Sequence, residues 1–468
     1  MRALLATSIG VTCAAALTLP LAAPAPAVPV PAPVAHAPAA PAAEPSGSTQ
    51  SLPLRPLTDA AARATGEPAD SPFSAVQGLR QRDAQRFSLV GVVWDDADAE
   101  LHGTVQVRAR ATGTGRWSGW QDLETHNTDH AADSGSAERA SGKVRGSTAP
   151  LWVGDSDGVE VRVRSQDAGP RSRAPLPEGL RVELVDPGDD PQQPPTTLTP
   201  TIGAPTSVTP VTSPQPGALP DSAALGLAAA ESSAVNADLA PLGATEIPAL
   251  SKAESEEQAV VAAGAKPFVG PRPRIVTRKG WGADESIRER AFAYTTTVKA
   301  AFIHHSATGN NYTCSQAPSV LRSIYRYHVK SSGWRDFGYN FAVDKCGNIY
   351  EGRAGGVTKA VLGAHTLGFN SNSMGVAVLG THSSKNPPAA AVTAIAKLTA
   401  WKLGLFGRNP LGKATLVSGG SGKYKKGASV KLHVISGHRD GFATECPGIR
   451  LYKKLGTART SSAQFQGR

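Results

Sequence analysis

Two stretches biased toward proline and alanine divide this chain, and they limit how many segments can fold into compact structure. Residues 28–72 are rich in Ala and Pro, and residues 188–270 are rich in Pro, Thr, Ser and Ala. Neither shows amphipathic periodicity, so the first is expected to be a disordered or extended spacer and the second a long flexible linker. Residues 73–187 and 271–460 remain, which predicts two domains.

The first residues are typical of an export signal. Arg2 precedes an apolar run at residues 3–19, and Ala-Pro-Ala at residues 25–27 offers a small-x-small cleavage site. Residues 1–27 are therefore predicted to be a signal peptide, and the mature protein to be secreted and extracellular. The apolar run is too short for a comfortable transmembrane helix and no later stretch approaches 18 continuous apolar residues, so no membrane span is expected.

Residues 73–187 carry the alternation that is typical of β-strands. Apolar and polar side chains alternate with period two at residues 105–110, 159–164 and 180–184. Several short strands predict a small all-β, sandwich-like domain, whose ligand the sequence does not identify. Trp117 and Trp120 fit either a sugar-binding face or the core of the sandwich.

The C-terminal segment mixes both periodicities. Residues 299–305, 375–379 and 432–436 are predicted to be buried strands, and residues 341–351 a hairpin. Two further segments, 318–329 and 389–405, have apolar residues at helical spacing. The prediction is an α/β domain, a mixed β-sheet flanked by helices.

Basic charge is concentrated in this C-terminal part. Residues 266–468 contain 30 Lys and Arg against 8 Asp and Glu, whereas the rest of the chain contains 18 against 30. In an exported protein such a field favours anionic polymers, and the bacterial cell wall, with its phosphate and carboxylate groups, is the obvious candidate. A merely soluble basic surface fits the composition equally well.

Three residues stand out as candidate metal ligands: His304 at the end of a predicted strand, His438 after another, and Cys446 before a proline. Two imidazoles and a thiolate suit Zn²⁺, and three protein ligands leave a position for water, as in catalytic zinc sites. Each residue alone has a more ordinary interpretation, a hydrogen-bonded histidine or a core or disulfide-bonded cysteine.

Seven short motifs place these residues in context. They are Arg-Lys-Gly-Trp-Gly-Ala at 278–283, Phe-Ile-His-His-Ser-Ala-Thr at 302–308, Gly-Trp-Arg-Asp-Phe-Gly-Tyr-Asn-Phe at 333–341, Gly-Asn-Ile-Tyr-Glu-Gly-Arg at 347–353, Gly-Ala-His-Thr at 363–366, Gly-His-Arg-Asp at 437–440 and Thr-Glu-Cys-Pro-Gly at 444–448. In this order, the motifs resemble the peptidoglycan recognition protein and bacteriophage-type amidase family. The resemblance runs from about residue 278 to residue 455.

The resemblance implies a secreted, zinc-dependent N-acetylmuramoyl-L-alanine amidase, which cuts the amide between the glycan strand and the stem peptide of peptidoglycan. His304, His438 and Cys446 match the family's zinc ligands. Tyr339 matches a tyrosine that faces the metal and would orient the water or donate to the developing oxyanion. Thr444 matches a position with a supporting catalytic role at most. His305 is expected to point away from the metal, because successive strand residues face opposite sides.

The family's substrate groove maps onto further residues. His328, His365 and Asn370 match positions that line the groove. The pair Gly333-Trp334 accompanies preference for diaminopimelate-type peptidoglycan in the family, and Arg353 is a candidate partner for the extra carboxylate of that substrate. Alternatively, Gly333 is only the cap of the preceding helix and Trp334 a packing residue.

The cysteines fit this interpretation. Cys13 lies in the predicted signal peptide, which leaves three cysteines in an exported protein. If Cys446 is a zinc ligand, Cys314 and Cys346 remain to form a disulfide bond.

Two other functions compete with the amidase. A non-catalytic peptidoglycan-binding receptor would keep the groove and lose the metal, and such family members typically replace the cysteine ligand, which is present here. A structural zinc module in a nucleic-acid-binding protein is suggested only by the basic charge. Export and an open set of three ligands argue against nucleic acid as a partner.

Overall fold

The computed structural model describes residues 47–57, 76–125, 128–169, 172–190, 226–263 and 268–468. The predicted signal peptide lies outside these residues. In chain order the strands are β1 (Ser48–Pro53), β2 (Arg55–Pro56), β3 (Val76–Trp94), β4 (Gly103–Ala111), β5 (Gln121–Leu123), β6 (Gly146–Ser147), β7 (Leu151–Ser165), β8 (Asp167–Gly169), β9 (Ser172–Arg173), β10 (Arg181–Asp186), β11 (Glu246–Ile247), β12 (Ile275–Val276), β13 (Ala300–His305), β14 (Phe341–Val343), β15 (Ile349–Glu351), β16 (Ser373–Val378), β17 (Lys413–Val417), β18 (Ser429–His433) and β19 (Ile435–Gly437). The α-helices are α1 (Leu227–Ala234), α2 (Lys252–Ala263), α3 (Arg278–Trp281), α4 (Ala317–Arg326), α5 (Ala389–Leu405), α6 (His438–Gly441), α7 (Ile449–Tyr452) and α8 (Leu455–Gln466).

The N-terminal part is all-β, as the alternating pattern predicts. Its main strands follow the order β1-β10-β3-β7-β4-β5, and both β2 and β6 pair with β3. The register of β3 against β7 shifts at three points, and such bulges bend and twist strands. Val90, Val92 and Val161 are among the residues that form its core.

Neither Trp117 nor Trp120 lies in that core. Trp117 and Trp120 are half-buried. The guanidinium of Arg162 lies 4.1 Å from the ring centroid of Trp120, and that of Arg108 lies 5.5 Å from Trp117 and 5.1 Å from Trp120. The two rings therefore take part in cation–π contacts beside the sheet.

The C-terminal part contains the predicted mixed sheet. Its order is β11-β12-β15-β14-β16-β13-β19, in which β13 is parallel to both of its neighbours and the β14–β15 hairpin is antiparallel. Residues of α5 and α8 pack in the apolar cluster on one face, and residues of α4 pack in the cluster on the other. The helix predicted at 389–405 coincides with α5.

One predicted strand is wrong in detail. Residues 432–436 do not form a single strand, because the chain changes sheets at Val434. The preceding strand, β18, pairs with β17 in a separate two-stranded sheet, whereas β19 joins the main sheet beside β13. Continuous apolar character does not reveal such a change of partner.

The expectation that residues 28–72 and 188–270 lack ordered structure is also wrong for parts of both stretches. In the spacer expected at 28–72, β1 pairs with β10 along its whole length. In the linker expected at 188–270, β11 extends the mixed sheet through β12, and Ile247 and Ala259 are buried in its core. The described C-terminal structure thus begins near residue 226 and ends with α8, beyond the predicted limits of 271–460. Local composition misses these elements because their apolar partners lie far away in the sequence.

Helix α4 lies between the two sheets. Ile324 and Tyr327, which directly follows the helix, belong to the same buried apolar cluster as Leu89 of β3 and Val185 of β10. The Tyr327 hydroxyl lies 3.3 and 3.1 Å from the backbone oxygens of Val92 and of residue 148, so it is anchored to the N-terminal part. The N-terminal sheet therefore shares a continuous core with the C-terminal domain.

Candidate metal centre and groove

The three predicted ligands lie together at one edge of the mixed sheet. Strands β13 and β19 are parallel and pair Ile303 with Gly437, so the residues that follow these two, His304 and His438, emerge at the same edge. The loop before α7 brings Cys446 there, with its Sγ 3.7 Å from His304 Nδ1. All three side chains are fully buried.

The side-chain alternation of β13 explains which histidine faces the centre. Ala301 and Ile303 belong to the core beneath α5, whereas Phe302 packs in a separate cluster on the other face. His304 shares the side of Phe302. His305 is on the opposite side, where its Nδ1 accepts a hydrogen bond from the backbone N–H of His382 at 3.1 Å.

A fourth donor comes from the N-terminal domain. The ligand atoms of His130, His304, His438 and Cys446 all lie within 4.8 Å of one another. His130 is in the turn Thr128–His130 that follows β5, and only 5% of it is exposed. His130 belongs to none of the motifs, so the sequence does not predict its place in the cluster. Its only local signal is the adjacent Asp129 in a polar loop.

The chemistry of this donor set fits a divalent cation such as Zn²⁺. Burial, together with the neighbouring histidines, lowers the pKa of His304 well below its usual range, and burial lowers that of His438 to about 3, so both imidazoles are neutral. Burial, followed by the nearby carboxylates of Asp129 and Glu124, raises the pKa of Cys446 well above its usual value, so a thiolate here needs compensating positive charge. A bound cation supplies that compensation. Among the described residues, both ring nitrogens of His438 and Nε2 of His130 are buried and make no hydrogen bond.

Neighbouring polar groups orient the donors. His304 Nε2 lies 3.3 Å from Nδ1 of His365, which leaves His304 Nδ1 to face Cys446. His130 Nδ1 lies 2.8 Å from a carboxylate oxygen of Asp129, the arrangement that fixes the tautomer of many metal-binding histidines. Thr444 accepts a hydrogen bond from the backbone N–H of Cys446 at 3.2 Å, so it supports the turn that carries the thiol.

Tyr339 lies beside the centre. Its ring centroid is 5.2 Å from that of His304. Burial is the main cause that raises the pKa of Tyr339 well above its usual range, and the neighbouring Cys446 raises it further. Its hydroxyl therefore stays protonated at neutral pH and is available as a hydrogen-bond donor.

The predicted groove residues surround the same centre. His328 stacks on Trp334 with ring centroids 4.4 Å apart, and its Nδ1 accepts a hydrogen bond from the backbone N–H of Gly338 at 3.2 Å. Asn370 accepts two hydrogen bonds, from the backbone N–H groups of His365 at 2.7 Å and of Thr366 at 2.9 Å. These contacts fix the loops that carry the predicted groove residues.

Arg353 is engaged within the chain. Its Nη1 and Nη2 each lie 2.9 Å from a carboxylate oxygen of Glu138, and its Nε donates to the backbone oxygen of Phe337 at 2.8 Å. Although burial opposes the shift, Arg353 lowers the pKa of Glu138, so the pair is ionised. A guanidinium held in this way is a ready two-pronged receptor for a carboxylate.

The predicted disulfide bond is confirmed. Cys314 is bonded to Cys346, with Cα atoms 6.1 Å apart, and it joins the turn before α4 to the β14–β15 hairpin. Cys446 is the free cysteine of the described residues.

Family models match both parts of the chain. Residues 294–449 match the N-acetylmuramoyl-L-alanine amidase family. Residues 36–179 match the domain described as Rv3811 N-terminal galactose-binding domain-like.

Among curated proteins, peptidoglycan-recognition protein SC2 of Drosophila simulans is 31% identical over 185 residues, which cover 39% of this chain and 85% of that protein. The chain belongs to the peptidoglycan-recognition protein and amidase family. The human N-acetylmuramoyl-L-alanine amidase is 30% identical over 211 residues, which are 43% of this chain and 32% of that protein. Among solved structures, Drosophila PGRP-LB is 26% identical with a TM-score of 0.31, covering 39% of this chain and 93% of that chain.

No helix among the described residues of this family member is both long and apolar enough to cross a membrane.

Proposed function

We propose that this chain is a secreted, zinc-dependent N-acetylmuramoyl-L-alanine amidase. It hydrolyses the amide between the lactyl group of N-acetylmuramic acid and the L-Ala of the stem peptide. The observation that carries the proposal is the convergence of two neutral imidazoles and a buried thiol beside a protonated tyrosine. Membership of the amidase family supports the same reaction.

His304, His438 and Cys446 would hold the zinc ion. When bound, the ion supplies a Lewis acid for the amide carbonyl and lowers the pKa of a water to about 7, so a nucleophile is available at neutral pH. The Tyr339 hydroxyl donates a hydrogen bond to the carbonyl oxygen of the amide, which becomes negative as the amide is attacked. His365 keeps His304 in one orientation, and Thr444 does the same for the turn of Cys446.

A non-catalytic peptidoglycan-binding receptor is the alternative. Such a receptor needs the groove but not the metal. The presence of Cys446 and Tyr339 favours hydrolysis, because binding alone gives no reason to keep a buried thiol beside the His438 imidazole, whose two ring nitrogens make no hydrogen bond among the described residues.

The preferred substrate is proposed to be diaminopimelate-type peptidoglycan. Diaminopimelate carries one carboxylate more than lysine at the third stem residue, and Arg353 presents the bidentate geometry that recognises carboxylates. Trp334 stacks on His328 and would pack against the stem. Gly333 takes a left-handed backbone conformation with φ 73°, so it also acts as the predicted cap.

Export and attachment to the cell wall complete the proposal. Residues 1–27 would direct secretion, and the basic C-terminal domain would hold the enzyme near the anionic polymers of the wall. No nucleic acid and no membrane span are part of this function.

The test combines metal analysis with digestion of a purified muropeptide, scored by mass spectrometry for free stem peptide with L-Ala at its amino end. Hydrolysis is measured on the intact chain and on His130→Ala. The variant is included because His130 adds a fourth donor to the cluster, and four protein ligands would leave no position for water. One zinc per chain and release of the stem peptide by at least one form are expected. If both forms bind the muropeptide and neither cuts it, the receptor is the correct function.

A further inference from the structure

A polar segment of the N-terminal domain covers the groove. We call residues 128–145, which join β5 to β6, the strap. At its start, the backbone oxygen of Asp129 accepts a hydrogen bond from Leu367 at 2.8 Å. Further on, Asp133 accepts from the backbone N–H of Gly368 and from the Asn370 amide, each at 2.7 Å. The strap thus binds groove residues of the amidase domain through directed polar contacts.

The strap also reaches the metal centre itself. His130 places a buried, unbonded Nε2 next to the three ligands of the amidase domain, and Asp129 holds its other ring nitrogen at 2.8 Å. A catalytic zinc site keeps one position open for water, whereas four protein ligands close it. His130 is therefore placed where a fourth ligand would exclude the nucleophile.

At the other end of the strap, Glu138 pairs with Arg353 through two contacts of 2.9 Å. The same carboxylate accepts a hydrogen bond from the backbone N–H of Arg335 at 3.0 Å. Both groups of this ion pair are buried, with side chains 6% and 7% exposed. Glu138 thus occupies the guanidinium that the proposed function assigns to a substrate carboxylate.

Apolar contacts close the remaining space. Ala132 and Val144 of the strap pack against Trp334 and Ala364. The backbone oxygen of Lys143 lies only 1.9 Å from where a side chain at Gly333 would begin, so only glycine permits this approach. As a result, the predicted groove residues are all buried: His328, Trp334, Arg353, His365 and Asn370.

We propose that the strap holds the amidase in a latent form, with His130 as a fourth zinc ligand and Glu138 in place of the substrate carboxylate. This inference rests on the proposed function for the identity of the groove's ligand. Strap and substrate compete for the same groups, so the binding-competent fraction, and with it the apparent affinity, rises when the strap is weakened.

The first test measures binding without catalysis. A soluble muropeptide with a diaminopimelate stem is titrated calorimetrically into the metal-free full chain, which cannot use a metal to cut it. Glu138→Gln removes the charge that pairs with Arg353, and it should raise the affinity by at least about tenfold. The matched control is Glu160→Gln, which removes a buried carboxylate that pairs with Arg108 within the N-terminal sheet. The control should bind like the unmodified chain.

The second test reads the metal coordination. Co²⁺ is loaded in place of zinc, and its absorption spectrum is followed while azide is added. With His130 as a fourth ligand, azide should leave the spectrum of the full chain unchanged, whereas His130→Ala should show a new azide-dependent spectrum. A full chain that responds to azide as the variant does would show that His130 is not a ligand.

The outcomes separate this inference from the proposed function. Unchanged muropeptide affinity in Glu138→Gln overturns the latent form, even if His130→Ala fails to fold. If affinity rises in Glu138→Gln but none of the zinc-loaded forms, Glu138→Gln, His130→Ala and the intact chain, cuts the muropeptide, the strap regulates a receptor and the amidase assignment fails. If affinity and hydrolysis both rise, the strap blocks an active enzyme.

Discussion

The N-terminal domain contacts the amidase domain in two places that differ in chemistry. Against α4, the contact is a continuous apolar core in which Leu89 and Val185 meet Ile324. Over the groove, it is a set of charge pairs and hydrogen bonds centred on Asp133 and Glu138. Separating apolar surfaces exposes them to water, but polar groups can exchange one partner for another. The first contact is thus suited to hold the domains together, and the second to open.

The largest expected effect tests whether the polar contact covers a working site. In a Glu138→Gln background, Cys446→Ala should reduce muropeptide hydrolysis by on the order of 10³-fold or more and lower zinc content, because one of three catalytic ligands is lost. Stem-peptide release and metal analysis measure both. His433→Ala is the control, since His433 lies in β18 outside the cluster. Equal hydrolysis with and without Cys446 would contradict the zinc assignment.

Next in size is the apolar contact. Ile324→Ala should lower the free energy of unfolding by about 2–5 kcal/mol, because a buried side chain is removed from a packed core. Muropeptide affinity of the folded protein should not change. Denaturant unfolding measures the free energy of unfolding, and calorimetry measures the muropeptide affinity. Glu138→Gln should differ from Ile324→Ala by raising that affinity. If Ile324→Ala increases muropeptide affinity as Glu138→Gln does, the two contacts do not have separate roles.

Tyr339→Phe tests whether the site beneath the polar contact uses a tyrosine hydroxyl in catalysis. In the Glu138→Gln background, loss of one hydroxyl should slow turnover by on the order of 10²-fold while zinc content stays the same, because the donor to the oxyanion is removed. Turnover and metal content are measured on the same sample. A rate within a factor of two of the parent would exclude this role for Tyr339.

The smallest expected effect concerns substrate choice. In the same background, the ratio of cleavage rates on diaminopimelate-type and lysine-type muropeptides should favour the former. Arg353→Ala should reduce that ratio, by about tenfold at most, because the partner of the extra carboxylate is lost. Faster cleavage of the lysine type by the parent would contradict the proposed preference.

The sequence identifies the three proposed ligands of the amidase domain because each lies in a local motif. His304 lies near the end of an apolar strand, His438 begins the short helix α6, and Cys446 lies in a short turn. His130 could not be found in this way, because its role depends on a contact between domains that lies 174 residues or more from the other ligands in sequence. Asp133 and Glu138 were missed for the same reason.

The misjudged linker shows a related limit. Composition averages over many residues, whereas a two-residue strand such as β11 depends on the edge it can join. Asn236 donates a hydrogen bond to the buried carboxylate of Glu351 at 2.8 Å, and Ile247 is fully buried. A fragment that starts at residue 266 would expose that edge and leave Glu351 without this donor, so the described contacts favour a start near residue 226.

The attachment of the strap has a consequence for what can open it. Because β5 and β6 fix both ends, the strap is a tethered ligand, and its effective concentration at the groove is in the millimolar range. Dissolved muropeptides at micromolar concentration compete poorly with such a ligand. Intact peptidoglycan presents many stems at once to a chain held on its surface, so it raises the local concentration of substrate to a comparable level. The latent enzyme is thereby expected to respond to the polymer rather than to its soluble fragments.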